Sequence, residues 1–144
     1  MSDLMNFSCP EGTFTLPKNV VFHSVNIITF PDGGSITITR DSYSPESDFA
    51  GYLAGQMQKL RGGLPGFTLL KEETLSAHAG LGQTEALGFT FTNQSMLVWQ
   101  YTALAQVRHG ELMLFTATCP NEQIYNLMRD RIITCVGDFT PQDA

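Results

Sequence analysis

The chain has 144 residues, 42% apolar and only 15% charged. That is enough for one domain with its own core, and it is the reverse of a disordered composition. The net charge of −6 comes with no basic stripe, the densest cluster being Lys59 and Arg61, so nucleic-acid binding is excluded. No run of ~20 apolar residues could span a bilayer. The first ten residues carry neither a basic region nor an apolar one, so no secretory signal is read there. Cys9, Cys119 and Cys135 form no even set and no CxxC pair. Free thiols in a reducing compartment, hence a cytoplasmic location, are expected.

A short strand around Phe14-Thr15-Leu16 opens the reading. Val25 to Phe30 and Ser35 to Arg40 are β-branched runs joined by Pro31-Asp32-Gly33-Gly34, so they predict a hairpin. A helix follows, with Ser44 as cap, Pro45 in the first position, and Glu46 and Asp48 near its positive end. It should run to about Arg61 and stop at Gly62-Gly63, with Phe49, Tyr52, Leu53, Met57 and Leu60 as its apolar stripe. Four more strands are predicted: Phe67 to Leu75, Gln83 to Thr92, Met96 to Val107, and Glu111 to Thr118. Asn93-Gln94-Ser95 and Arg108-His109-Gly110 are the tight connections. A last helix starts after Pro120, presents Ile124, Leu127, Met128 and Ile132, and ends near Gly137. The fold class is α+β: residues 1–144 form one domain, an antiparallel sheet flanked by two main helices.

Polar residues stand where apolar ones belong. At ~100° per residue Gln56 falls about 340° around from Phe49, inside the apolar stripe. An amide there must find partners. Either it bonds a strand end, or this part of the stripe is not closed by the protein's own core. In the strand after Met96, Trp99, Tyr101 and Ala103 share one face, while Val98, Gln100, Thr102 and Leu104 share the other. In the hairpin Ile36 and Ile38 point one way, and Ser35, Thr37 and Thr39 the other; Val25 and Ile27 share a face. One sheet face is thus dry, and the other mixes aliphatic residues with Thr, Ser and Gln. A solvated face would more often carry Lys and Glu. The mixture suits a ligand that is apolar but not featureless, or else an ordinary weakly polar outer face. Leu64-Pro65-Gly66-Phe67 joins helix to strand, with Leu64 either anchoring the loop or standing at the rim of the mixed face.

Catalytic constellations are missing. His23, His78 and His109 have no Cys or carboxylate at ligand spacing, so neither a metal nor any other cofactor is expected. Gly80-Leu81-Gly82 and Gly62-Gly63 lack the context of phosphate loops. Glu72-Glu73 reads as a solvated pair. Cys119, just before a helix, reads as a small capping or core residue rather than a reactive thiol. No enzymatic activity is expected.

Ser24-Val25-Asn26-Ile27 leading into Ser35-Ile36-Thr37-Ile38-Thr39-Arg40-Asp41 resembles the DcrB-like domains. Phe49-Ala50-Gly51-Tyr52-Leu53-Ala54-Gly55-Gln56, followed by Leu64-Pro65-Gly66-Phe67, is similar to their cytosolic branch, the Eag-type effector-associated chaperones of bacterial type VI secretion. The resemblance implies a PsbP-like fold and a homodimer. It implies a chaperone that holds the N-terminal transmembrane helices of a PAAR-containing toxin effector, Rhs-type effectors included, before delivery to the secretion spike. By position, Val25, Ile27, Thr37, Thr39, Gln56, Leu64 and Gln100 would line the client groove. Arg61-Gly62-Gly63 departs from the pattern and would end the helix early. A different class of function, a small-molecule or lipid carrier, could use the same mixed face as a pocket.

Overall fold

Short turns make neighbours of consecutive strands, and the sheet is built that way. The computed structural model describes residues 4–9, 11–20, 23–76 and 82–140, and of residues 5 and 7–9 the backbone alone. The elements in chain order are β1 Leu4–Cys9, β2 Gly12–Pro17, β3 Asn26–Thr29, β4 Ser35–Ser42, α1 Phe49–Gly63, β5 Thr68–Thr74, β6 Thr84–Asn93, β7 Met96–Arg108, β8 Glu111–Cys119 and α2 Glu122–Asp138. One six-stranded antiparallel sheet runs β3-β4-β8-β7-β6-β5, and β1 and β2 pair apart from it as a two-stranded hairpin. The class is α+β, with one helix on each face of the sheet. No helix among the described residues is long and apolar enough to cross a membrane.

The turns follow from their residues. Phe30 N–H donates to Gly34 O and Gly33 N–H to Phe30 O, with Gly33 at φ 102°, which closes a three-residue loop over Pro31 and Asp32. Between β6 and β7 the loop has two residues, Gln94 and Ser95, both at positive φ, and Asn93 pairs with Met96. Gly66, at φ 65°, turns the chain out of α1, and Thr92 N–H donates to Pro65 O.

The dry face is closed by α2. Ile36, Tyr101, Ala103, Phe115 and Ala117 pack under Tyr125, Met128, Ile132 and Val136. Small residues at 103, 105 and 117 let α2 lie close to β7 and β8. Gly88 makes room for the Tyr125 hydroxyl: a Cβ built there would stand 1.8 Å from Oη. Glu73 accepts both prongs of Arg129, at 2.8 and 2.9 Å, and the Tyr101 hydroxyl at 3.0 Å, tying β5, α2 and β7 together. The guanidinium, and next to it the phenol, hold the Glu73 carboxyl below its usual range despite the opposing effect of burial.

Several expectations need correction. The sequence reading lacked β1, and β2 is longer than Phe14-Thr15-Leu16. Ser44-Pro45 does not begin α1. Ser47 N–H donates to Ser44 O in a separate turn, and the Asp48 carboxylate caps the helix by accepting from Gly51 N–H at 2.8 Å. Gly62 and Gly63 do not stop the helix but form its last turn, with Leu64 as the C-cap. Leu127 lies exposed, and Tyr125 takes its place in the core because the stripe of α2 drifts one position. Glu73 is no solvated residue, as its bonds show. His78 and the Gly80-Leu81 pair lie outside the described residues, as do residues 1–3 and 10 of the N-terminal reading.

Candidate functional site

On the opposite face α1 stands further from the sheet. Phe49 and Tyr52 are buried against Leu87, Phe89, Leu104 and Leu112, with Leu53, Met57, Leu60, Leu64 and Phe67 packed around them. The Tyr52 hydroxyl donates to Asp41 Oδ2 at 2.7 Å, fixing the start of α1 to β4. Burial first, and the Asp41 carboxylate second, push that phenol up, so it stays a donor at any physiological pH. The helix therefore covers one part of the face, and β3 and β4 continue beyond it.

Between α1 and the sheet runs a cleft of about 140 Å³, lined by Gln56 and Leu60 from the helix and by Leu87, Phe89, Gln100, Thr102, Leu104, Leu114 and Thr116 from the strands. Gln100 Nε2 donates to Thr102 Oγ1 at 3.3 Å, and Thr102 Oγ1 shares a hydrogen with Thr116 Oγ1, also at 3.3 Å. Thr116 is the register partner of Thr37 across β8 and β4. A neutral polar track thus crosses three strands between aliphatic walls. Gln56 makes no side-chain hydrogen bond among the described residues. No buried, unpartnered side-chain nitrogen or oxygen occurs among them either, so its amide keeps access to solvent. The internal bond to a strand end is not made.

The pairing places Ile27 opposite Thr37, and alternation puts Val25, Ile27, Thr37, Thr39 and Gln100 on this one face. Gln56 faces Gln100 across the cleft. Val25 and Thr39, with His23, Ser24 and Arg40, border a second, open cavity of about 500 Å³ at the sheet edge. Leu64 sits at the C-cap of α1, half-buried in the helix cluster and outside the Gln56–Gln100 cleft. Sequence reasoning overlooked Thr116 and Leu114, although the alternation Leu112, Leu114, Thr116 in β8 carries the signal.

Cys119 is a core residue whose thiol burial pushes up to about 11, so it stays protonated and unreactive at neutral pH. His109 stacks edge-on against Tyr43 at 5.4 Å, in the turn after β7.

Comparison with known proteins follows the same face-and-helix plan. Protein PA94 of Pseudomonas aeruginosa, described as a regulator candidate of unknown function, superposes with a TM-score of 0.78 over 99% of this chain and 100% of its own, at 19% identity. The cyanobacterial PsbP protein of Synechocystis gives a TM-score of 0.51 at 11% identity, over 94% of this chain and 90% of that one. At these identities the likeness is one of fold, the PsbP-like α+β architecture. No curated protein matches the sequence. The DcrB family model matches residues 11–126, most of the length, and the chain belongs to the DcrB family.

Proposed function

We propose that this DcrB-family protein is an Eag-type chaperone, which binds and shields the N-terminal transmembrane helices of a PAAR-containing type VI secretion effector before export. The observation that carries this reading is the Gln56–Gln100 cleft: aliphatic walls with a neutral polar track through them. An apolar helix in water must be covered, and burial against such walls is worth ~25 cal/mol per Å². A transmembrane helix still carries Ser, Thr and Gly positions that want hydrogen-bond partners, which Gln and Thr supply. Charged groups facing the helix would have to be desolvated, and the cleft has none. The net charge of −6 keeps a loaded complex in solution. The protein acts by binding, without catalysis and without a cofactor, in the cytoplasm.

The carrier reading fits the cleft less well. About 140 Å³ falls short of the ~300–1,000 Å³ that encloses a small ligand. An open face suits an elongated guest better than a pocket does.

The test is co-expression with the first ~60 residues of the effector encoded beside it, a length set by two ~20-residue spans and a linker. Native mass spectrometry should show a stoichiometric complex, and the effector segment should aggregate when expressed alone. Recovery of a bound lipid or metabolite, with the effector segment left uncaptured, would overturn the proposal in favour of a carrier.

A further inference from the structure

The α2 face of the sheet holds a cavity that the chaperone reading leaves unused. It measures about 340 Å³, with Leu70 and Lys71 of β5, Trp99 of β7, and Glu122, Tyr125 and Arg129 of α2 in its walls. It lies across the sheet from the Gln56–Gln100 cleft and is of the size that holds a small ligand, ~300–1,000 Å³.

Its walls break local rules that a plain core would keep. Leu69 packs with the α1 cluster, so Leu70 points to the α2 face, and strict alternation would return Lys71 to the α1 face. The bulge between Leu69 and Lys71 instead turns Leu70 and Lys71 both into the cavity. In β6 Gly88 stands mid-strand, where a missing side chain weakens a sheet. The space it leaves is taken by the Tyr125 hydroxyl. Tyr125 is only 6% exposed, yet its hydroxyl makes no hydrogen bond among the described residues. No buried side-chain oxygen lacks a partner there, so Oη keeps contact with solvent, and Tyr125 lines the cavity. A phenylalanine would pack as well and would let position 88 carry a side chain. The scaffold gives the hydroxyl no purpose; a ligand would.

The charges point to what that ligand is. Glu73 takes both prongs of Arg129, so that pair is neutral and already engaged. Lys71 and Glu122 form no ion pair among the described residues. Lys71 is the register partner of Gly88, so its side chain rises beside the Tyr125 hydroxyl. An ammonium and a phenol on one wall are two donors for an anion. Burial raises the Tyr125 phenol above its ordinary range and keeps it a donor at neutral pH. Trp99 packs against Tyr125 at 5.7 Å as an aromatic wall, and Leu70, 44% exposed, extends the apolar surface. Glu122, in the first turn of α2, repels a second negative charge.

We propose that this cavity binds a small aromatic monocarboxylate, with its carboxylate on Lys71 and the Tyr125 hydroxyl and its ring against Trp99 and Leu70. The site is independent of what the opposite face of the sheet binds.

The experiment uses the full chain without client and phenylacetate as the probe. Trp99 is the single tryptophan of the chain, so its fluorescence reads the cavity directly. Saturation-transfer NMR of the phenyl protons reads the same contact from the ligand. Phenylacetate should bind saturably, with a dissociation constant on the order of 1 mM or below for a ligand of about ten heavy atoms. Acetate lacks the ring and benzyl alcohol lacks the charge, and each should bind at least about tenfold more weakly. Lys71→Met should weaken phenylacetate roughly tenfold or more, and Tyr125→Phe ~2–12-fold. Tyr125→Phe should do so with the melting temperature of the free protein kept, because no internal hydrogen bond is lost. Silence in both readouts up to about 10 mM, acetate binding as well as phenylacetate, or either variant binding like the parent would overturn the proposal. Gln56→Ala should leave phenylacetate binding unchanged; a loss there would place the probe in the client cleft and overturn it too.

Discussion

Replacing Gln56 and Gln100 by Ala separates stability from binding, because the structure gives the two amides different surroundings. Gln56 lies in α1 without a side-chain partner among the described residues and with its amide open to solvent. Its loss removes no internal bond, and Ala is the better helix former by a few tenths of a kcal/mol. The free protein should melt within ~0.5 kcal/mol of the parent. Gln100 donates one long bond, 3.3 Å, to Thr102, which keeps Thr116 when Gln100 is gone. No buried group is orphaned, so Gln100→Ala should cost ~0.5–1 kcal/mol. For a chain of this size that is a fall of about 1–4 °C in Tm. Binding should respond more. A side-chain hydrogen bond to a transmembrane helix is worth ~0.6–1.7 kcal/mol, so each variant should capture the effector segment about 3–20-fold more weakly. The two positions face one another across one cleft, and the double variant should lose about 10–300-fold. Gln100→Glu should bind worse than Gln100→Ala, because its carboxylate must be desolvated against an apolar helix. Thermal melting of the free proteins, alongside titration of the effector segment held in detergent, reads both quantities. Large melting losses with capture unchanged would refute the reasoning and return the glutamines to the scaffold.

Gly88→Ala should destabilise by about 1–3 kcal/mol, because the new Cβ meets the Tyr125 hydroxyl at 1.8 Å and must push the ring against Trp99 and Tyr101; adding Tyr125→Phe should recover much of the lost Tm, and no recovery would mean that the clash is elsewhere. Stability should fall in acid through Glu73: its carboxyl titrates lower when folded than the ordinary value of 4.5, so its contribution is complete above that value and disappears as pH drops through the folded one. Glu73→Gln should flatten that limb of a Tm-against-pH curve, and an unchanged limb would assign acid sensitivity to other carboxylates. At the β6–β7 turn, Gln94→Asn with Ser95→Gly should raise stability by about 1 kcal/mol, since both positions hold positive φ and the parent residues are strained there; a lower Tm would show that the side chains do more than turn the chain.

The strands of the main sheet were legible because turn residues separate runs rich in β-branched and aromatic side chains. The start of α2 after Pro120 was legible too, but that of α1 was not, since Ser44-Pro45 and Asp48 both offer capping residues. The choice fell to Asp48 because the helix must begin where Phe49 and Tyr52 can reach Leu87, Phe89 and Leu112. That is a tertiary constraint and leaves no local mark. β1 escaped for a similar reason: its partner β2 forms no part of the main sheet, so nothing in the layered pattern demands it. Glu73 looked solvated because its neighbours in sequence are polar, while Arg129, its partner, is 56 residues away.

The candidate site was legible for a different reason. A glutamine in an apolar helical stripe and another in an apolar strand break the pattern at places where a folding sequence has no motive to break it. Each could have been answered internally. Gln100 in part is, through Thr102 and Thr116; Gln56 is not. What periodicity could not supply was their meeting, because which strand lies beneath the helix depends on the sheet order and not on spacing within either segment. The order β4-β8-β7-β6 puts Thr37, Thr116 and Thr102 in one line across the face, with Gln100 two residues further along β7 and Gln56 on the helix lining the same cleft. Neutral polar groups in such a line give a helix hydrogen-bond partners at many rotations and depths, without the desolvation cost that one fixed charge would impose. Under the proposed chaperone function, such a surface should tolerate changes in the client that preserve hydrophobicity while rejecting those that add charge.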